Sequence, residues 1–181
     1  MSEVPLHVIH LDQDDPRKCT ARKLESQGLA LLHYDVRKAP RRGFLLDPNA
    51  TVTLGPEDKG MIELGGALVA LDCSWKKIEE SLVSVERQTM LESRTLPMLL
   101  ASNPVSWGKP GRLSTAEALA ASLYLMGHNE QAVRVMDPFP FGDQFMELNK
   151  EPLNAYIEAR SREELTELQW EFFDSDRSAD Y

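Results

Sequence analysis

The sequence predicts an α/β fold: an N-terminal, mainly parallel sheet with flanking helices, followed by a C-terminal all-helical layer. Three observations carry this. Short apolar or β-branched runs alternate with helical segments as far as residue 101, the pattern of βαβ units. Two of those runs, Ala67 to Leu71 and Met98 to Ala101, carry no polar side chain on either face, which suits strands buried on both sides. Past Gly108 every segment has helical period and none has strand character.

The elements follow in order. Val4 to Leu11 predicts a first strand, ended by the turn-prone run Asp12 to Pro16. A helix starts near Thr20, whose hydroxyl could cap it; Ala21, Leu24 and Leu29 face inward and Gly28 is the stop. Leu29 to Tyr34 is a second strand, Arg37 to Gly43 a basic loop, and Phe44 to Leu46 a short third strand. Pro56, Glu57 and Asp58 read as the first turn of a helix that ends at Gly65 and Gly66. The Ala67 to Leu71 strand is next, then a helix over 76–90 with Ile78, Leu82, Val85 and Met90 on one face. Arg94 to Pro97 links it to the Met98 to Ala101 strand. Ser114 and Glu117 form a capping box before an alanine-rich helix that Gly127 stops. Helices are expected over 128–136, 143–150, 152–159 and 161–173, and residues 174–181 form an acidic tail. The division expected is an α/β domain over 1–97, a last strand with a helical domain over 98–173, and the tail.

Composition narrows the function classes. No apolar stretch approaches the ~20 residues of a membrane span, and the N-terminus lacks a signal-peptide pattern, so a soluble cytoplasmic protein is expected. The chain has two cysteines, Cys19 and Cys73, with no CxxC and no histidine pair at ligand spacing, so no metal site is expected. With only a few residues before Val4, no separate metal-binding module is expected there. The net charge of −9 disfavours a nucleic-acid partner at first sight, but its distribution is uneven. Residues 17–42 hold Arg17, Lys18, Arg22, Lys23, Arg37, Lys38, Arg41 and Arg42 against only Glu25 and Asp35. That excess suits a phosphate backbone or, equally simply, a solvated face.

No GxGxxG follows the first strand, and no GxxxxGK[ST] or serine nucleophile elbow is present. The four histidines carry no carboxylate partner implied by spacing. Ligands of open α/β sheets bind outside the carboxyl ends of strands. Attention therefore falls on Asp72 and Trp75 after one apolar run, and on Asn103, Pro104 and Trp107 after the other.

Five stretches resemble one family. LDCSW at 71–75, RTLPMLLASNPVSWGKP at 94–110 and LSTAEALAASLYLMG at 113–127 are similar to motifs of the ribosome-biogenesis aminocarboxypropyltransferases. DDPRKCTARKL at 14–24 and FGDQFMELNKEPLNAY at 141–156 agree with two more. The chain departs from the family pattern at Ser102, Ser106 and Trp107, where the family usually has Ala, Asn and Tyr. Gly55 stands where a serine is usual.

The resemblance implies a knotted fold of the SPOUT class and S-adenosylmethionine as co-substrate. It further implies transfer of the 3-amino-3-carboxypropyl group to a uridine-derived base of small-subunit rRNA; apart from the resemblance, a monomer is expected. An rRNA methyltransferase and a non-catalytic ribosome-assembly factor are the alternatives. With a sulfonium already activated as leaving group, the protein's task is to choose which carbon faces the nucleophile, a matter of positioning. Trp75 would lie against the sulfonium, unless it only anchors the following helix. Thr20 would meet the amino-acid end, unless it only caps. Leu71 and Leu96 would line adenosine through backbone groups and apolar walls. Gly111, Ser114 and Thr115 would present helix-start N–H groups to ribose or carboxylate oxygens, or simply cap a helix. Asp72 would be the catalytic residue, holding the ammonium or taking the base proton, or else a structural cap. RNA would approach over the basic residues of 17–42.

Overall fold

The computed structural model describes residues 2–11, 20–72 and 77–173. Arg17, Lys18, Trp75 and the acidic tail over 174–181 lie outside the described residues. The first half of the chain forms β1 (Leu6–His10), α1 (Thr20–Ser26), β2 (Leu31–His33), β3 (Gly43–Leu46), α2 (Lys59–Glu63), β4 (Ala67–Asp72), α3 (Ile78–Gln88) and β5 (Glu92–Arg94). The second half is α4 (Thr115–Leu125), α5 (Asn129–Met136), α6 (Gly142–Leu148), α7 (Lys150–Glu158) and α8 (Arg162–Phe172). The strands form one sheet in the order β2-β1-β4-β3-β5, and every pairing is parallel.

β4 lies at the centre, and its sequence shows why. Alternate residues point to opposite faces. Val69 joins Ile9, Leu45, Leu82 and Val85 under α3. Leu68 and Ala70 join Leu6, Val8, Phe44 and Leu46 under the helical layer. Both faces are dry, so neither has a polar position. Gly43 permits the close approach of β3 to β4: its φ is 141°, and an added Cβ would fall 2.1 Å from the Ala67 carbonyl oxygen.

The helical layer is not a separate core. One cluster of buried side chains runs from Val4 through the sheet to Leu119, Leu123, Phe145, Tyr156 and Leu165. α4 is apolar nearly all round, with Ala116, Leu119, Ala120, Ala121 and Leu123 buried, as befits a helix enclosed between sheet and helices. Asp58 clamps the layers from the side: Arg94 Nε lies 3.2 Å from it, and Arg162 Nη2 2.7 Å.

Two expectations are corrected. The fifth strand of the sheet is Glu92–Arg94 rather than Met98 to Ala101. β5 is an edge strand paired only with β3, so it tolerates polar side chains that give no strand pattern: Ser93 Oγ donates to Glu86, and Arg94 reaches Asp58. Met98 to Ala101 is extended but outside the sheet, and its one ladder-type pairing among the described residues is a single antiparallel bridge from Leu100 to Pro110. Leu99 and Ala101 are fully buried against the larger core, so the run is apolar for a reason other than strand pairing. Met90, expected inward, lies beyond the end of α3 and is 77% exposed.

Candidate active site

Parallel pairing brings His10 level with Asp72 at the carboxyl edge of the sheet. Asp72 follows Leu68 and Ala70 in the alternation, so its side chain leaves toward the helical layer. There Thr115 Oγ1, at the start of α4, donates to Asp72 Oδ1 at 3.3 Å. His10 Nδ1 lies 3.7 Å from Asp72 Oδ2, and both residues are buried. Arg22, carried by α1, donates from Nε to His10 Nε2 at 3.4 Å, so the ring hydrogen of that imidazole sits on Nδ1, facing Asp72. Tyr34, just past β2, stacks on His10 with ring centroids 5.4 Å apart and is itself 60% exposed. A buried carboxylate, a buried imidazole, a hydroxyl and a guanidinium thus meet beneath an exposed phenol.

The loop from Ala101 to Ser114 is shaped by one carboxylate. Glu117 is fully buried and accepts five contacts: Ser102 N at 2.7 Å, Ser102 Oγ at 3.0 Å, Asn103 N at 3.0 Å, Asn103 Nδ2 at 2.8 Å and Ser114 N at 2.7 Å. It therefore ties both ends of the loop to the first turn of α4. Ser102 Oγ also reaches the Phe141 carbonyl at 3.1 Å, which joins the loop to α6. The serine in place of the family's alanine thus has a structural use.

Met98 to Ala101 takes its hydrogen bonds from helix side chains. Gln169 Oε1 accepts from Met98 N, Tyr156 Oη donates to Met98 O, and Asn149 both accepts from Leu100 N and donates to Leu100 O. Gly111 N donates to Leu99 O. Burial alone pushes the Tyr156 phenol above its ordinary pKa, so it stays a donor.

The expected site residues fall as follows. Leu71 lies beside Asp72 but packs under α3, on the opposite face. Leu96 is half-buried against the larger core, and Gly111, exposed with φ of 72°, follows the bridge at Pro110. Ser114 is the cap of α4, its Oγ accepting from Glu117 N, while Thr115 reaches Asp72. Thr20 opens α1, the helix that brings Arg22 to His10. Trp75 is outside the described residues.

The basic residues are less united. Arg22 joins the site, and Lys23 Nζ lies over the Phe139 ring at 5.4 Å. Arg37 is exposed and paired with Asp35, whose carboxyl its hydrogen bonds hold below the usual range. Lys38 is exposed in the same turn. Arg41 and Arg42 precede β3, where the Arg42 carbonyl accepts from Ala67 N. They stand at the amino edge of the sheet, roughly 16 Å along β4 from Asp72 at ~3.3 Å per residue. Arg17 and Lys18 are outside the described residues. Sequence reasoning missed His10, Tyr34, Asn149 and Gln169, because each acquires its partner from a distant segment; only strand register pairs His10 with Asp72.

Two clefts, of ≈ 530 Å³ and ≈ 340 Å³, lie elsewhere: one between α3 and the 47–52 segment, one among α4 to α7. Among the described residues no group of three or more His, Cys, Asp or Glu could hold a metal ion, and no helix is long and apolar enough to cross a membrane.

Comparison with known proteins bears on this edge. Residues 44–173 match the family model "Ribosome biogenesis protein, C-terminal". Residues 4–35 match "Possible Fer4-like domain in RNase L inhibitor". That stretch contains one cysteine, Cys19, of the two in the chain, whereas a cluster takes about four thiolates, so the donor set does not fit one. The chain is 43% identical over 167 residues to the 16S rRNA aminocarboxypropyltransferase of Methanosarcina acetivorans, covering 92% of this chain and 93% of that one. It is 39% identical over 170 residues to that of Halobacterium salinarum, covering 94% and 97%. Among solved structures it is similar to the SAM-dependent rRNA:acp-transferase Tsr3 from Vulcanisaeta distributa, with a TM-score of 0.84, 33% identity, and coverage of 98% and 94%.

Proposed function

Because the chain belongs to the 16S rRNA aminocarboxypropyltransferase family, we propose that it transfers the 3-amino-3-carboxypropyl group of S-adenosylmethionine to a uridine or pseudouridine of small-subunit rRNA. The observation that carries this to the residues is the convergence of Asp72, Thr115 and His10 at the carboxyl edge, against a loop pinned by Glu117. In this reading the enzyme works as a cytoplasmic monomer during ribosome biogenesis, with the loops of that edge threaded as in the SPOUT class.

The residues fit the co-substrate by their chemistry. A buried carboxylate beside a hydroxyl suits an amino-acid ammonium, and in this reading the apolar Leu96, with backbone groups of Leu71 and Gly111, lines adenosine. S-adenosylmethionine supplies a carbon activated by its sulfonium and leaves as methylthioadenosine. What remains for the protein is to orient it and exclude water. Thr115 Oγ1 donates to the Asp72 carboxylate on one side and His10 Nδ1 lies 3.7 Å from it on the other, which favours one orientation of the carboxylate for an ammonium or a base N–H. The N–H groups of Gly111 and Ser114, expected to be open, are held by the Leu99 carbonyl and by Glu117, so in this reading the Ser114 hydroxyl and Thr20 take the carboxylate end and Trp75 the sulfonium. The basic residues of 17–42 serve the RNA unequally: Arg22 is at the site, Arg41 and Arg42 on an outer flank.

The test is the nucleoside by-product, measured by mass spectrometry, when the protein meets S-adenosylmethionine and small-subunit rRNA. Methylthioadenosine is expected, falling sharply in Trp75→Ala. S-adenosylhomocysteine would overturn the reading in favour of a methyltransferase. In Asp72→Asn, weaker co-substrate binding assigns Asp72 to the ammonium, whereas a lower turnover at unchanged binding assigns it to the base proton.

A further inference from the structure

The loop tied down by Glu117 displays apolar side chains to solvent. Val105 is 73% and Trp107 56% exposed, next to Pro104, which is exposed as well. At a loose loop tip this would mean little, but the backbone here is held on both sides. Gly108 N donates to the Ala101 carbonyl, Ala101 N to the Lys109 carbonyl, and Lys109 N to the Ser106 carbonyl. Asn103 Oδ1 accepts from Ser106 N at 3.0 Å, while its Nδ2 reaches the Arg112 carbonyl and Glu117. Ser106, immediately before the indole, is buried. The indole is thus presented outward from a fixed frame, which lowers the ordering cost of anything that binds it.

The charge around it identifies the partner. From 93 to 116 the chain carries no acid, in a protein whose net charge is −9, and with Arg94 already paired to Asp58 and Glu92 the cations of the loop itself are Lys109 and Arg112. Lys109 is exposed two residues from Trp107. A rigid aromatic face beside a cation, in an acid-free segment, is the chemistry that recognises an unpaired base and its phosphate. Glu117 holds both Asn103 of this loop and Ser114, the neighbour of the Thr115 that touches Asp72, so the loop is anchored to the reacting edge.

We infer that Trp107 is a stacking platform for an unpaired nucleobase of the RNA substrate, adjacent to the nucleotide that enters the site, with Lys109 on a neighbouring phosphate. This rests on the reading of the protein as an rRNA-modifying transferase. It assigns RNA contact to a face other than the basic residues of 17–42.

The experiment measures binding of a fluorescein-labelled single-stranded oligouridine, and of small-subunit rRNA, by anisotropy, and of S-adenosylmethionine by calorimetry. Trp107→Ala is expected to weaken RNA binding about tenfold or more while co-substrate affinity stays unchanged. Trp107→Phe should keep most of the affinity, and Trp170→Ala, a control at an exposed tryptophan of α8, should change nothing. Lys109→Ala should lower the slope of log affinity against log salt by about 0.7 to 1. Loss of S-adenosylmethionine affinity in Trp107→Ala would overturn the platform and make Trp107 a wall of the co-substrate site. RNA affinity unchanged in Trp107→Ala, with methylthioadenosine still formed by the wild type, overturns the platform alone and turns the loop toward a protein partner. Weakened RNA binding in Trp107→Ala, with no methylthioadenosine formed by the wild type, upholds the platform and overturns the transferase.

Discussion

Glu117 is fully buried, and a buried carboxylate is tolerated only where donors replace bulk water. Glu117→Gln keeps the shape but turns one acceptor into a donor, facing two or three donors. The expected cost is about 2–4 kcal/mol, seen as a Tm roughly 5–12 °C lower by calorimetry. An unchanged Tm would mean that the loop is not held by this carboxylate. The sequence shows Glu117 as half of a capping box, which accounts for the Ser114 contacts. Its contacts to Ser102 and Asn103, some fifteen positions earlier, have no local signature. Asp47 is the opposite case. Burial pushes its carboxyl up to about 6, and the neighbouring Glu86 adds to this, while the hydrogen bond from Asn49 N opposes it. The folded value lies above the unfolded one, so charging Asp47 costs nothing below about pH 4 and its full penalty above about pH 6. Asp47→Asn keeps an acceptor for Asn49 and removes that penalty. Its Tm should exceed the wild type's by about 2–8 °C at pH 8, corresponding to about 1–2 kcal/mol after solvent screening, with no gain at pH 4. A gain equal at both pH values would rule out the titration as its cause.

Met98 to Ala101 shows how an element can be read correctly as buried and extended, yet assigned the wrong neighbours. A strand in a sheet and a strand stitched by side chains are equally apolar, and only the partners differ. Here the partners are Asn149, Tyr156 and Gln169, each from a helix. Asn149→Ala leaves the N–H and C=O of Leu100 without their side-chain partner. The expected loss is about 2–4 kcal/mol, and thermal unfolding should report it as a Tm drop comparable to that of Glu117→Gln. A loss within about 0.5 kcal/mol would show that water or backbone replaces the amide. β5 failed to appear in the sequence for the complementary reason. An edge strand of three residues, Glu92 to Arg94, is fixed by its pairing with β3 and by Glu86 and Asp58, none of which leaves an apolar alternation.

Sheet and helical layer share one core, and Asp58 clamps them through Arg94 and Arg162. Both layers are therefore expected to unfold in one transition, with circular dichroism and tryptophan fluorescence giving coincident curves. Two separated transitions would mean that the shared core contributes little to cohesion. At this scale the sequence by itself determined the fold class, most element positions and the family. Apolar periodicity, caps and motif residues are local properties of the chain, and β4 is dry on both faces because it is central. Tertiary structure alone decided which strand closes the sheet, where the basic residues go, and that His10 meets Asp72. Arg22 and Arg42 belong to one basic stretch in sequence, but parallel strands send the chain back across the sheet between them, leaving one at the carboxyl edge and the other at the amino edge. Register, burial and charge sharing are relations between distant segments, and a residue carries no mark of its partner until the backbone has placed them side by side.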